Sequence, residues 1–69
     1  MTVAKVVQII GHSNESFAKA ADEAVREAAK TLRGISGADV VSMSATVEDG
    51  RIATYKTTVN IAFAVEGTD

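Results

Sequence analysis

The sequence predicts an α+β subunit with the order strand, helix, strand, strand, in which a three-stranded antiparallel sheet packs on one helix. Three observations support this fold class. The chain begins with a β-branched apolar run, continues with apolar residues at helical spacing, and ends with two alternating stretches joined by an Asp-Gly turn signal. Because 69 residues suffice for only one small core, we expect a single domain over residues 1–69.

The first strand is predicted over residues 3–10, directly before Gly11. This run is mostly apolar and rich in valine and isoleucine, which fit the pleated surface of a sheet. Such a run is typical of a strand that is buried on much of both faces.

A helix is predicted over residues 16–33, where apolar residues recur at steps of three and four. Ser13 or Asn14 is the predicted N-cap, and Gly34 suits the left-handed position just after the last turn. The apolar stripe consists mainly of alanine: Phe17, Ala20, Ala21, Ala24, Val25, Ala28, Ala29 and Leu32. A stripe of small side chains predicts a close approach to a sheet.

A long hairpin follows, with its turn at Asp49 and Gly50. Its first strand is predicted over residues 41–48 and its second over residues 54–65, both with period-two alternation. The apolar set, including Met43, Tyr55 and Phe63, is predicted to pack on the helix. The other face is polar with little charge: Ser42, Ser44, Thr46, Thr54, Lys56, Thr58 and Asn60.

Composition narrows the possible partners. The chain has no cysteine, one histidine and a net charge of −2 without a basic stripe, so we expect no disulfide and no nucleic-acid partner. No apolar run reaches the roughly 20 residues that span a bilayer, and the start of the chain lacks signal-peptide features, so we expect a cytoplasmic protein without a membrane partner. A small core and open sheet edges predict a closed homo-oligomer.

Three segments, IGHSNESF (10–17), AADEAV (20–25) and YKTTVNIAF (55–63), resemble the dodecin family in residues, order and spacing. The resemblance covers nearly the whole chain. It implies a strand-helix-strand-strand subunit whose sheet curls round its helix, and a hollow shell of twelve copies with cubic symmetry. It also implies storage of a flavin (FMN, FAD or riboflavin) as a small-molecule ligand, without enzymatic turnover.

Two departures from the family fall at its ligand-binding positions. Flavin-binding dodecins carry a stacking tryptophan just before the second strand, where this chain has Gly37, and the chain contains no tryptophan. The family's flavin-facing glutamine is Lys56 here, which donates hydrogen bonds but cannot accept them. Gly37 and Lys56 are therefore the candidate cofactor-binding residues. Loss of the stacking ring predicts a flavin affinity about ten- to a hundredfold lower.

Other interpretations of these residues remain open. Gly37 also suits a plain turn, and Lys56 also suits a solvated lysine or one paired with an acid, whereas a ligand-facing Lys56 would favour an anionic group. The alternative function is a ligand-free or metal-binding structural shell, although no metal-ligand spacing is evident in the acids Asp39, Glu48, Asp49 and Glu66. A flavoenzyme ranks last. His12 has no nearby motif for acid–base chemistry, so no catalytic residue is predicted.

Overall fold

The computed structural model describes residues 3–65, and Glu66 lies outside them. The elements are β1 (Val3–Ser13), α1 (Phe17–Ala28), β2 (Ile35–Glu48) and β3 (Arg51–Val65). They form a three-stranded sheet in the order β1-β3-β2, with both pairs antiparallel. This confirms the predicted α+β class and the β-α-β-β order.

The hairpin turn lies where the Asp-Gly pair predicts it. Asp49 and Gly50 have φ angles of 52° and 74°, and Glu48 is directly opposite Arg51. A two-residue turn with positive φ at both positions matches the right-handed twist of the strands that it joins. β3 is thereby placed in the centre of the sheet, hydrogen-bonded to β1 on one side and β2 on the other.

All three strands extend beyond their predicted bounds. β1 continues through Gly11 to Ser13, β2 begins at Ile35 rather than at residue 41, and β3 begins at Arg51 rather than at residue 54. Gly37 is therefore a strand residue opposite Ala62, and its interpretation as a turn residue is wrong. The register of β2 shifts at three places, between Ile35 and Gly37, Val40 and Ser42, and Thr46 and Val47. Bulges of this kind bend a strand, and the bends weaken the simple alternation that marks a strand in a sequence.

The N-cap of the helix also differs from the predicted one. The N-cap is Ser16, whose Oγ accepts a hydrogen bond from the Lys19 backbone N–H at 3.0 Å. Ser13 instead accepts from the Glu15 backbone N–H at 3.0 Å, which tightens the turn between β1 and α1. Within residues 3–65, Asn14 makes no capping hydrogen bond to the helix.

The helix ends at Ala28 and not at residue 33. The N–H groups of Lys30 and Thr31 donate to the carbonyls three residues earlier, at 3.2 and 3.1 Å, so the last turn tightens and the chain leaves the helix axis. The chain must turn there to reach the distant edge of the sheet. Gly34 has φ +71°, as predicted, but it stands directly before β2 rather than at the helix end.

The core lies between α1 and one face of the sheet. The buried residues of α1 are alanines, and Val59 and Ile61 of β3 are 1% and 0% exposed beneath them. Val7 and Ile9 of β1 complete the packing. Phe17 and Tyr55 meet edge to face at a centroid distance of 4.9 Å and close the core near the start of the helix.

Much apolar surface stays uncovered because α1 packs on β1 and β3 and touches β2 only marginally. The prediction that β1 is buried on both faces is wrong for the single subunit, and so is the placement of Met43 in the core, where it is 58% exposed. The full set of exposed large apolar residues is Val3, Val6, Ile10, Val40, Val41, Met43, Val47 and Ile52. The subunit measures 56 × 19 × 12 Å with a radius of gyration of 14.4 Å, against about 11 Å for a compact chain of this length.

Gly11 should be the most sensitive glycine of the fold. A Cβ at this buried position would overlap the backbone carbonyl oxygen of Ala20 and lie 3.0 Å from the Ala24 Cβ. We expect Gly11→Ala to lower the free energy of unfolding by about 3 kcal/mol, because a helix backbone has little room to move. Urea denaturation at fixed protein concentration measures this. Gly37→Ala, where a Cβ meets nothing within 4 Å, is the matched control, and equal stability of the two variants would contradict the prediction.

Thr57 should anchor the helix start to the central strand. It is fully buried, and its Oγ1 donates to the Phe17 carbonyl at 2.9 Å. Thr57→Val removes the donor at nearly constant volume and should cost about 1 kcal/mol of unfolding free energy. Thr58→Val, one residue along on the opposite face, is the control in the same urea titration. A Thr57→Val protein as stable as the parent would show that this hydrogen bond contributes nothing.

Candidate functional site

The face of the sheet opposite α1 is the candidate binding surface, here called the open face. Thr57, Val59 and Ile61 of β3 point toward the helix, so the even-numbered residues between them point away from it. The register extends this assignment to both neighbouring strands. The open face comprises Val6, Gln8, Ile10 and His12 of β1, Gly37, Asp39, Ser42, Ser44 and Thr46 of β2, and Thr54, Lys56, Thr58, Asn60 and Ala62 of β3.

Cross-strand pairing arranges these residues in rows across the sheet. One row is His12, Lys56 and Ser44, the next is Ile10, Thr58 and Ser42, and the third is Gln8, Asn60 and Asp39. The polar face predicted for β2 and β3 is confirmed. The sequence pattern did not predict that β1 contributes polar residues to this face. Gln8 and His12 are its polar positions there, but the valine and isoleucine residues around Gln8 make the strand look apolar on both faces.

Gln8 and Asn60 form an oriented amide pair on the open face. The Gln8 Nε2 donates to the Asn60 Oδ1 at 3.0 Å. The Asn60 Nδ2 and the Gln8 Oε1 then remain available as a donor and an acceptor side by side. A flat ligand with alternating polar atoms along one edge would find complementary groups here.

Lys56 lies at the centre of its row and is partly buried between His12 and Ser44. Within residues 3–65 it has no acidic partner, because the lysine and arginine ion pairs found there lie on or beside α1: Lys19–Glu15, Arg26–Asp22 and Lys30–Glu27. On β2, Glu48 lies four residues and Asp39 five residues from Ser44 of the Lys56 row, or about 13–17 Å away. The acid-paired interpretation of Lys56 therefore finds no support in the described subunit.

Gly37 also lies on the open face, but in a row far from that of Lys56. Its partner Ala62 is six residues beyond Lys56 on β3, a separation of about 20 Å along the strand. A Cβ at Gly37 would meet nothing within 4 Å, and its φ lies outside the left-handed region. The position is therefore open space within the subunit, and the two predicted site residues are not brought together by one chain.

One concave surface of the described chain is a groove of about 690 Å³ beside the start of α1. Its charged lining includes Glu15 with Lys19 and Asp22 with Arg26, which already neutralise each other as exposed ion pairs. His12 borders the groove from the edge of β1. Nothing in this lining converges on a ligand.

Neither a cluster of candidate metal ligands nor a membrane-spanning helix occurs within residues 3–65. No cluster of three or more histidine, aspartate or glutamate side chains that could hold a metal ion occurs in that range. No helix of the described chain is long and apolar enough to span a membrane.

Comparisons with known proteins agree with this architecture. The family model described as Dodecin matches residues 3–66. An arginine-to-alanine variant of dodecin from Thermus thermophilus superposes with a TM-score of 0.93 at 29% identity, covering 99% of this chain and 100% of that one. Dodecin from Streptomyces coelicolor gives 0.92 at 25% identity, with 97% and 96% covered. No curated protein matches the sequence significantly.

A further similar structure is named for a metal ion. It is the calcium-chelating antigen calcium dodecin from Mycobacterium tuberculosis, described as having a novel calcium-binding site. It is 34% identical to this chain with a TM-score of 0.81, and 97% of this chain and 96% of that one are covered. The family match over nearly all residues and the shared β-α-β-β fold show that this chain belongs to the dodecin family.

Proposed function

We propose that this chain forms a homo-dodecamer that binds and stores a small, flat, flavin-type molecule on its open face, where subunits meet. Dodecins are a type of small dodecameric flavin-binding protein, and this chain has their fold. The observation that carries the proposal is the open face itself. It combines an oriented amide pair, a row of hydroxyl groups and one partly buried lysine on the side of the sheet that α1 leaves bare.

Assembly is supported by the surface that the subunit leaves uncovered. Val40 and Met43 of β2 lie opposite the buried Val59 and Thr57, so they face the same side as the helix, yet they are 54% and 58% exposed. Both outer strands also have an unpaired edge within the subunit. Neighbouring copies would cover these surfaces, as exposed apolar patches and strand edges require.

A ligand position between subunits is supported by the distance between Gly37 and Lys56. About 20 Å of β3 separates their rows, which is longer than three fused rings. If one ligand contacts both positions, the two residues must come from different subunits. Gly37 of one subunit and Lys56 of another would then lie close together only in the assembled shell.

We further propose that flavin binding is weakened in this chain. Gly37 offers no ring for stacking, and Lys56 cannot accept a hydrogen bond from a ring N–H. Enzymatic activity is not part of this proposal, because binding on the open face requires no proton transfer. The cytoplasmic location expected from the sequence remains a prediction.

The second candidate is a metal-binding shell, favoured by the 34% identity to calcium dodecin. Calcium prefers six to eight oxygen ligands, which symmetry-related subunits would have to supply jointly. Asp39 of the open face and Glu48 at the hairpin carry exposed carboxylates suited to such a site. Elemental analysis of the purified protein distinguishes a metal-loaded shell from a flavin-loaded one, which is yellow.

The assembly should be measurable by light scattering at micromolar concentration. We expect twelve subunits of 7.2 kDa each, or about 86 kDa. Val40→Lys should reduce the mass to that of smaller species, because it places a charge in the uncovered apolar surface of β2. Thr31→Lys, an exposed position just after α1, should leave the mass unchanged. A parent protein whose mass by light scattering is that of a stable monomer or dimer would refute the assembly.

Flavin binding should be restored by two substitutions. In the intact oligomer, Gly37→Trp combined with Lys56→Gln should bind riboflavin at least about tenfold more tightly than the parent, because a stacking surface and a hydrogen-bond acceptor are regained. Quenching of flavin fluorescence on titration measures the affinity. No atom lies within 4 Å of a Cβ at Gly37, so the subunit leaves space where the new side chain would begin.

Matched variants separate the two contributions. Gly37→Leu adds apolar volume without an extended ring, and Lys56→Met removes the charge without adding an acceptor. Both should bind riboflavin more weakly than the corresponding Gly37→Trp and Lys56→Gln proteins. If the assembled double variant binds no better than the parent, the flavin interpretation of the open face should be abandoned.

A further inference from the structure

We infer that the ligand site of the open face selects anionic ligands, and that Lys56, with His12 and Ser44 beside it, determines this selectivity. The inference rests on the proposed function, because it concerns the chemical class of ligand held by the same face. The class is a flat molecule that carries a phosphate, sulfate or carboxylate group, and this anionic group would lie against Lys56 in place of the ring edge that a glutamine at this position would contact.

The first step is the arrangement of charge on the sheet. His12 and Ser44 are the direct cross-strand partners of Lys56, so their side chains stand on the same face within about 4.5–5.5 Å at Cβ. No carboxylate occurs in this row or in the neighbouring Ile10–Thr58–Ser42 row. The charge carried by these two rows is therefore that of Lys56, in a chain whose net charge is −2. Of the acids in the groove that His12 borders, Glu15 and Asp22 are already paired with Lys19 and Arg26.

The second step is the environment of the ammonium group. Lys56 is partly buried, whereas the lysines of α1 with their glutamate partners are exposed. Partial burial raises the desolvation free energy of a charge that has no counter-charge. The residue opposite Lys56 on β1 is His12 rather than an acid. A bound anion would supply the missing counter-charge.

The third step is the hydrogen-bonding capacity around that charge. The ammonium offers three donors, the Ser44 hydroxyl can donate another, and the His12 ring can donate from either nitrogen depending on its protonation. A lysine holds an anion as a point charge rather than through a planar fork, so phosphate, sulfate and carboxylate are all acceptable. Beside this row, the exposed Ile10 and the Thr58 methyl give a surface on which a flat ring can rest.

The test uses two flavins that differ by one phosphate. The intact oligomer is titrated with riboflavin and with FMN at low ionic strength, and dissociation constants are taken from fluorescence quenching. We expect FMN to bind about fivefold more tightly than riboflavin, with the preference falling as salt is added. In Lys56→Gln the ratio should approach one, even if riboflavin itself binds more tightly. Lys30→Gln, the same substitution just after α1, should keep the parent ratio.

A second measurement covers the case in which neither flavin binds. Thermal unfolding is followed in increasing inorganic phosphate at constant ionic strength, since an anion that binds the folded state raises its midpoint. The general effect of phosphate on folded proteins is removed by comparison with Lys30→Gln. We expect the midpoint to rise more in the parent and in Lys30→Gln than in Lys56→Gln.

The outcomes separate the two proposals. If both flavins bind with equal affinity in the parent, the anion inference is overturned while the binding function stands. If neither flavin binds but the phosphate response depends on Lys56, the flavin function fails and the anion inference stands. If neither flavin binds and phosphate stabilises Lys56→Gln as much as Lys30→Gln, the anion inference is overturned as well.

Discussion

The close contact between a short alanine helix and the sheet is the constraint on which the rest of the structure depends. Gly11 lets the backbone of α1 approach β1 more closely than any side chain would allow. A helix of 12 residues is about 18 Å long, whereas the subunit extends over 56 Å. The helix therefore covers only part of two strands. The uncovered β2, the elongated shape and the bare opposite face all follow from this mismatch in length.

This geometry connects stability with binding. In the proposed assembly, a subunit with so much exposed apolar surface would gain stability from neighbouring copies, and those contacts would also determine which parts of the open face come together. Gly37 and Lys56 illustrate the point, since one chain keeps them on the same face but in distant rows. Assembly would thus create the ligand site at the same time as it completes the core, and neither property belongs to the isolated subunit.

The sequence predicted the element order, the Asp49-Gly50 turn and the helix-facing side of β3, because each is encoded by local pattern or turn chemistry. It did not predict the early start of β2, since bulges interrupt the alternation there. Nor did it reveal the steric role of Gly11, which depends on Ala20 of α1, nine residues away in the chain and adjacent in space. For the candidate site, the face of Lys56 was predictable from period two, whereas its row partner His12 required the register.

Residues of β3 alternate between the core and the open face, and this alternation limits how the sequences of such proteins can diverge. Thr57, Val59 and Ile61 hold the core, while Lys56, Thr58 and Asn60 interleave with them on the open face. Point substitutions at the even positions leave the core sequence untouched, so ligand preference is free to drift without loss of the fold. A one-residue insertion or deletion between them would exchange the two sets. Lineages of this fold should therefore vary freely in side chains along β3 while its length stays constant.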